Sequence, residues 1–319
     1  MINSMIVSDI GGTNGRFAIA ELSNAPESTE NIKLKEIGIF PCNDYNNFNE
    51  LLSAYLKSLN CDIPKIARFA IAGEMTADYG NLWHFNWDIN ARDIEKKFNF
   101  DQVTLLNDYE ALVRAIPGLD AGELETITPF GEGLSGAPFS AFGVGSGLGA
   151  AIGIRQGTEV RTISTEIGHM SFAPKSKAEQ ELLNFFAGKV NHISIETFLS
   201  GPGLIRIYEF LNHKEKNNIA AHEITKEARN GSCEISVKTV NLFLDILASV
   251  AGDIALAQGS RGGIYIGGGI IPHIADLIDR ERFIELFTDK GPMNSYVKKI
   301  PVHIVMSEKA SLTGAAIVL

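Results

Sequence analysis

Apolar residues along this chain recur in two rhythms. Short apolar runs at residues 5–10, 66–72, 103–106, 139–142, 263–266 and 302–306 predict buried strands. Between them lie stretches in which apolar residues return every three or four positions. Asn47 followed by Glu50 is a helix-start signal, and after it Phe48, Leu51, Leu52, Tyr55, Leu56 and Leu59 mark one helical face. Residues 236–258 predict a long core helix through Val237, Val240, Leu244, Leu247, Ala251 and Ile254. Residues 109–116 predict a helix stopped by Pro117 and Gly118, and residues 311–318 a last one. Strands and helices in alternation predict an α/β architecture. Past Gly118 the composition loosens through Gly122, Gly131, Gly133, Gly136 and Pro138, which puts a domain boundary near Pro117 and Gly118.

Composition narrows the partner. With 319 residues, 45% apolar and 21% charged, the chain can bury a substantial core, divided between two domains. Its 28 Lys and Arg against 38 Asp and Glu leave a net charge of −10, with acidic residues scattered along its length. Nucleic acid and membrane surfaces are anionic and need a basic face, so neither is an expected partner, and a small molecule is. The uncharged run 138–154 is interrupted by Gly143, Gly145, Gly147, Gly149 and Gly153 and makes no membrane span. Residues 1–8 lack a basic flank, and Asp9 follows at once, so no signal peptide is expected. Cys42, Cys61 and Cys233 show no Cys-x-x-Cys spacing, which argues against a disulfide framework or structural zinc and for a cytoplasmic address.

Two glycine-rich turns carry the first candidate chemistry. Asp9-Ile10-Gly11-Gly12-Thr13-Asn14-Gly15-Arg16 joins the first strand to a returning strand at residues 16–21. Gly143-Val144-Gly145-Ser146-Gly147-Leu148-Gly149 joins residues 139–142 to an apolar run at 150–154. Glycines let the backbone approach a ligand and let successive N–H groups converge on an anion. Either turn alone is equally an ordinary hairpin turn; two of them, with Thr13 and Ser146, favour phosphate. Gly145-x-Gly147-x-x-Ala150, with Glu166 downstream, loosely fits a dinucleotide fingerprint. That fingerprint opens a helix, whereas residues 150–154 read as a strand, which disfavours a dehydrogenase. No Gly-x-x-x-x-Gly-Lys-Ser/Thr is present.

Six segments in order give the chain a resemblance. They are Asp9-Ile10-Gly11-Gly12-Thr13-Asn14, Leu106-Asn107-Asp108-Tyr109-Glu110-Ala111, Gly145-Ser146-Gly147-Leu148-Gly149, Glu166-Ile167-Gly168-His169, Leu199-Ser200-Gly201-Pro202-Gly203 and Gly267-Gly268-Gly269-Ile270. Over nearly its full length the chain resembles the bacterial-type ATP-dependent glucokinases of the hexokinase, actin and Hsp70 fold superfamily. The resemblance implies a two-domain actin-like ATPase fold, ribonuclease H-like, with an interdomain cleft. It implies a small domain of residues 1–117 plus 306–319, where Ser311-Leu312-Thr313-Gly314-Ala315-Ala316 also matches, and a large domain of 118–305. The implied activity moves the γ-phosphoryl of ATP to the 6-hydroxyl of D-glucose, giving glucose 6-phosphate and ADP, the first step of glycolysis. A homodimer is implied as well.

The same resemblance implies residue roles that can be set beside a plain reading. Asn107 and Asp108, between a strand and a helix, read locally as a helix cap; the resemblance makes Asn107 a sugar ligand and Asp108 both sugar ligand and proton acceptor. Glu166 and His169 have the Glu-x-x-His spacing of a metal pair, but Gly168 weakens a helix there and the pair is single, so metal is rejected. A related kinase branch follows this motif with a zinc-binding cysteine cluster, whereas here only Cys233 follows. By resemblance Glu166, His169 and Glu196 hold sugar hydroxyls. Asp9 lies near the Mg²⁺ of MgATP, Gly11, Gly12, Thr13, Asn14, Gly145, Ser146 and Gly147 meet phosphate, and Gly267, Gly268 and Gly269 meet adenosine. Where many relatives have Leu-Thr-Asn-x-x-Trp, this chain has Leu82-Trp83-His84-Phe85-Asn86-Trp87. Either His84 or Asn86 replaces the lost contact, or the sugar preference changes; Trp83 and Trp87 equally fit a core. The remaining readings are a kinase for fructose, mannose or N-acetylmannosamine, and a sugar-sensing regulator, for which no DNA-binding module is expected ahead of Asp9.

Overall fold

The structure, a computed structural model, describes residues 4–22, 32–76, 78–82, 84–212 and 219–317. The chain begins with β1 (Ser4–Ile10), β2 (Asn14–Leu22), β3 (Ile32–Pro41), α1 (Phe48–Ser58) and β4 (Ile66–Ile71). There follow β5 (Glu74–Met75), β6 (Tyr79–Leu82), β7 (Trp87–Asn90), α2 (Ala91–Phe98), β8 (Gln102–Asn107), α3 (Asp108–Ala115) and β9 (Leu124–Thr126). Next come β10 (Phe139–Val144), β11 (Leu148–Gln156), β12 (Glu159–Thr165), α4 (Lys177–Phe186), α5 (Ile195–Phe198), α6 (Gly201–Asn212), α7 (Ala221–Asn230) and α8 (Glu234–Ala257). The chain closes with β13 (Ile264–Gly267), α9 (Ile271–Ile274), α10 (Arg280–Thr288), α11 (Asn294–Val297), β14 (Val302–Val305) and α12 (Ala310–Ala316).

Two compact units result. The first gathers Met1–Leu124, Ala151–Ser164 and Ser307–Leu319, the second Glu125–Ala150 and Thr165–Met306. The segment Ala151–Ser164 therefore groups with the amino-terminal residues, although in sequence it lies inside 118–305.

In unit 1 a five-stranded sheet has the order β3-β2-β1-β4-β8. The first three strands form an antiparallel meander, and β4 and β8 join parallel to β1. One face buries Phe17, Phe48, Leu51, Tyr55 and Phe69, supplied by the sheet and α1, with the Phe17 and Tyr55 rings stacked at 4.9 Å. The other face packs Met5, Val7, Ala18, Ala20 and Ala70 against Ala111 of α3 and Leu312, Ala315 and Ala316 of α12. Asparagine starts three of the helices. Asn47, Asn90 and Asn107 each accept backbone N–H bonds at the first turn of α1, α2 and α3, because a short polar side chain just before a helix meets its orphan donors. The start read from Asn47 and Glu50 is therefore an actual cap, with Glu50 N–H 3.0 Å from Asn47 Oδ1.

Strand β3 was not legible in the apolar rhythm. Its residues are exposed or half-buried at the sheet edge, and Glu36 at φ 51 breaks the alternation between Leu34 and Ile37 where the β2–β3 register shifts.

In unit 2 strands run in the order β11-β10-β13-β14-β9, with β13 parallel to both β10 and β14, and β11 contributing Leu148 to Ala150. Helix α8 is the hub, packed by α6, α7 and α10. It is the one helix among the described residues long and apolar enough to cross a membrane, yet 72% of its most apolar window is buried inside the protein. A helix apolar on nearly every side is what a core position requires. Lys290, with only 2% of its side chain exposed, reaches this helix and donates to Ser249 O at 2.9 Å while pairing with Asp253 at 2.8 Å.

Candidate functional site

Unit 1 presents its candidate residues along one sheet edge. Ile71 of β4 pairs with Ile10 of β1 and with Asn107 of β8, so the Gly11–Asn14 turn and the start of α3 leave the carboxyl ends of neighbouring parallel strands. Ligands in open α/β sheets bind at such ends. Asp9 is the second-last residue of β1, Gly12 and Thr13 form the bend, and Asn14 opens β2. The turn is closed by Gly11 N–H to Asn14 O at 3.1 Å and held from behind by Cys42, whose N–H donates to Thr13 O at 2.9 Å and whose thiol lies 3.6 Å from Gly11 O. Across the hairpin from Asp9 stands Arg16, 3.5 Å from the carboxylate. Burial pushes the Asp9 carboxyl above its usual value, and the Arg16 charge and hydrogen bond oppose that shift. Arg16 was not singled out from sequence, since only strand pairing makes residues seven apart face each other.

Asn107, not Asp108, is the cap. Its Oδ1 accepts Tyr109 N–H at 2.9 Å and Glu110 N–H at 3.3 Å, and its amide reaches Gly73 O at 3.4 Å. Asp108 is the first residue of α3, half-buried, with Oδ1 accepting Tyr109 N–H at 3.0 Å. The cap and the candidate proton acceptor are thus different residues. A carboxylate in the first turn of a helix is stabilised by the helix dipole.

Unit 2 draws five sequence segments together. Gly145 N–H bonds to Gly147 O at 2.9 Å, closing the turn after β10, and Ser146 lies half-buried in its bend. Gly201, at the start of α6, donates to Gly145 O at 2.8 Å. Glu196, in the first turn of α5, accepts Leu148 N–H at 2.8 Å. Gly143 of β10 pairs with Gly267 at the end of β13, so Gly267, Gly268 and Gly269 follow the same sheet edge. Gly268 has φ +91 and lies against the Val144 backbone, a place where only glycine fits. Glu166 begins a single 3₁₀ turn over Ile167–His169 rather than an α-helix, with Gly168 against Leu148 O. Glu166 and His169 are exposed, and His169 O lies 2.8 Å from His192 Nε2. Ser200 ties the group together, bonding Glu196 O at 2.9 Å and Gly203 N–H at 3.0 Å; its hydroxyl was not marked from sequence.

The departure at residues 82–87 divides in three. Trp83 lies outside the described residues. Trp87 is core, its ring tilted against Phe85 at 4.9 Å between centroids. His84 is exposed in the turn between β6 and β7, and Asn86 holds that turn at φ 51, a left-handed conformation asparagine tolerates.

A family profile described as Glucokinase matches residues 6–319. The chain belongs to the glucokinase family. It is 33% identical to a glucokinase of Saccharophagus degradans over 98% of this chain and 96% of that one. It is 34% identical to one of Campylobacter jejuni subsp. doylei over 98% and 93%. Among solved structures, a glucokinase from an Antarctic psychrotroph matches with a TM-score of 0.82 at 33% identity, covering 99% of this chain and 98% of that one. A glucokinase of Balamuthia mandrillaris, solved with glucose, shares the fold at a TM-score of 0.79 and 18% identity, over 98% of this chain and 92% of that one. The α/β fold is accordingly the actin-like fold of sugar kinases.

The cysteines of this glucokinase-family chain are all free, but their environments differ. Burial behind the Gly11 turn pushes the Cys42 thiol up to about 11, whereas Cys61 is exposed. A raised thiol stays protonated, and the thiolate is the reactive form. Brief alkylation at pH 8 is therefore expected to label Cys61 at least about 10-fold faster than Cys42. Peptide mass mapping checks this, and equal labelling would show the turn to be open.

Proposed function

We infer that this chain is an ATP-dependent glucokinase that phosphorylates the 6-hydroxyl of D-glucose. The observation that carries the reading is the Asn107–Asp108 pair at the carboxyl end of β8, in a chain that matches the glucokinase family from residue 6 to residue 319. In this reading glucose is held by Asn107, Asp108, Glu166, His169 and Glu196. Asp108 accepts the 6-hydroxyl proton as the oxygen attacks the γ-phosphorus in line and ADP departs. Positioning matters as much as basicity, since phosphoryl transfer asks little covalent chemistry of the protein. Asp9, Gly11, Gly12, Thr13, Asn14, Gly145, Ser146 and Gly147 receive the phosphates, and Gly267, Gly268 and Gly269 the adenosine. The working domains are residues 1–117 with 306–319, and 118–305.

The donor set suits Mg²⁺ carried by the nucleotide. No three His, Cys, Asp or Glu side chains gather around a metal position among the described residues, and Asp9 is a single carboxylate with 16% of its side chain exposed. Mg²⁺ keeps several waters and uses one or two carboxylates besides phosphate oxygens. Asp9 would hold it, through water, and the ion would neutralise phosphate charge. A cytoplasmic homodimer completes the proposal.

A coupled ADP-release assay over glucose, fructose, mannose and N-acetylmannosamine tests the substrate, with glucose expected to give the highest kcat/KM. Comparable values for another of these sugars would make the protein a broader hexose kinase. The exposed His84 gives a finer test. If it holds a glucose hydroxyl, His84→Ala and removal of that hydroxyl lower efficiency non-additively, because each removes the same contact. Assays of 3-deoxyglucose and 4-deoxyglucose on both proteins check this, and fully additive losses would leave His84 without a sugar contact.

A further inference from the structure

By family resemblance Gly147 meets phosphate. The structure supplies a different neighbour. A Cβ on Gly147 would overlap Glu196 Oε2, the oxygen that accepts Leu148 N–H at 2.8 Å. The other oxygen, Oε1, has no hydrogen-bond partner among the described residues, and no such overlap arises at Gly145, where a Cβ would lie 3.9 Å from Gly269 N. Glu196 is itself fixed. Its peptide oxygen accepts Ser200 Oγ at 2.9 Å, and Ser194 caps the turn of helix that carries it.

We propose that Glu196 is a clasp: Oε2 locks the Gly145–Gly147 turn through Leu148 N–H while Oε1 faces the sugar, so that sugar binding and the shape of the phosphate turn are coupled through one carboxylate. The proposal rests on Glu196 being a sugar ligand. Gly147 is then a positioning residue, required because any side chain would displace the carboxylate, and Leu148 N–H sets which oxygen remains for the sugar. An ionised carboxylate bonded to a backbone N–H is oriented before sugar arrives, which lowers the ordering cost of binding.

The two partners make separable predictions. In Glu196→Gln the amide oxygen must take Leu148 N–H, since a backbone donor needs an acceptor, and the NH₂ then faces the sugar. The turn survives and the sugar contact turns from acceptor to donor. Glucose affinity is expected to fall roughly 10-fold to 100-fold, the scale of a hydrogen bond to a charged group, while affinity for a non-hydrolysable ATP analogue stays within about 2-fold. Gly147→Ala is expected to weaken both ligands by about 5-fold or more, because the displaced carboxylate releases the turn.

Calorimetry with glucose and with the ATP analogue, each alone and in the presence of the other, reads these outcomes. Amide exchange at Leu148 adds a measurement that needs no glycine variant, and it is expected to accelerate in Glu196→Ala but not in Glu196→Gln. Unchanged glucose affinity in Glu196→Gln would remove Glu196 from the sugar site and so overturn the underlying assignment. Loss in Glu196→Gln together with normal glucose affinity in a folded Gly147→Ala, or with unchanged Leu148 exchange in Glu196→Ala, would overturn the clasp alone.

Discussion

Asp108→Asn is expected to lower turnover by roughly 10²-fold to 10⁴-fold while leaving glucose affinity nearly intact, the scale of losing a general base. The geometry makes this a clean substitution. The N-terminal N–H groups of α3 are satisfied by Asn107, so the helix keeps its cap when Asp108 changes. The contact from Tyr109 N–H to Asp108 Oδ1, 3.0 Å long, can be remade by the Asn oxygen in the same place. What is lost is the capacity to accept a proton, together with one negative charge in the first turn, which costs only about 0.3–1 kcal/mol of helix stability. Thermal melting, calorimetric glucose affinity and steady-state rate on one preparation separate the effects. Near-normal turnover would take Asp108 out of the mechanism, and lost affinity with preserved kcat would make it a sugar ligand only.

Gly314→Val is expected to be the most damaging change away from the candidate site. A Cβ at Gly314 would fall on the carbonyl oxygen of Ala111, where α12 crosses α3 in the small-residue core of unit 1. Backbone cannot rotate aside as a side chain can, so the two helices must separate. Overpacking of this kind costs about 1–3 kcal/mol, and contact with main chain puts it at the upper end or beyond. Urea unfolding of Gly314→Val beside Gly122→Val, where a Cβ meets nothing within 4 Å, checks the effect at matched chemistry. Because α3 begins with Asp108, the folded fraction of Gly314→Val is also expected to turn over more slowly. Equal midpoints for the two variants would show that α12 and α3 can part without cost.

Along the chain, the residues that speak for themselves are those whose role is settled by immediate neighbours. Asn47 and Glu50 start α1, and Phe48, Leu51, Leu52 and Tyr55 all become buried on one side, because helical periodicity reports directly which face meets a core. The strands at residues 5–10, 66–72 and 103–106, the long helix that became Glu234–Ala257, and the glycine turns after β1 and β10 were legible for the same reason. So was the membership of the family, since short segments such as Asp9–Asn14 and Asn107–Asp108 keep their order whatever the packing. Tertiary structure alone decided matters that turn on which distant segments touch. A bulge at Glu36 hid β3, and strand pairing put Arg16 opposite Asp9. Asn107 took the cap that local preference offers equally to Asp108, because it alone sits at the strand-to-helix junction with both N–H groups in reach. Gly147 is the sharpest case: its sequence context speaks of phosphate, whereas the first atom a Cβ there would meet belongs to the Glu196 carboxylate, 49 residues away in the chain. Periodicity and motifs encode local preference, while steric exclusion between remote segments exists only once the core has assembled.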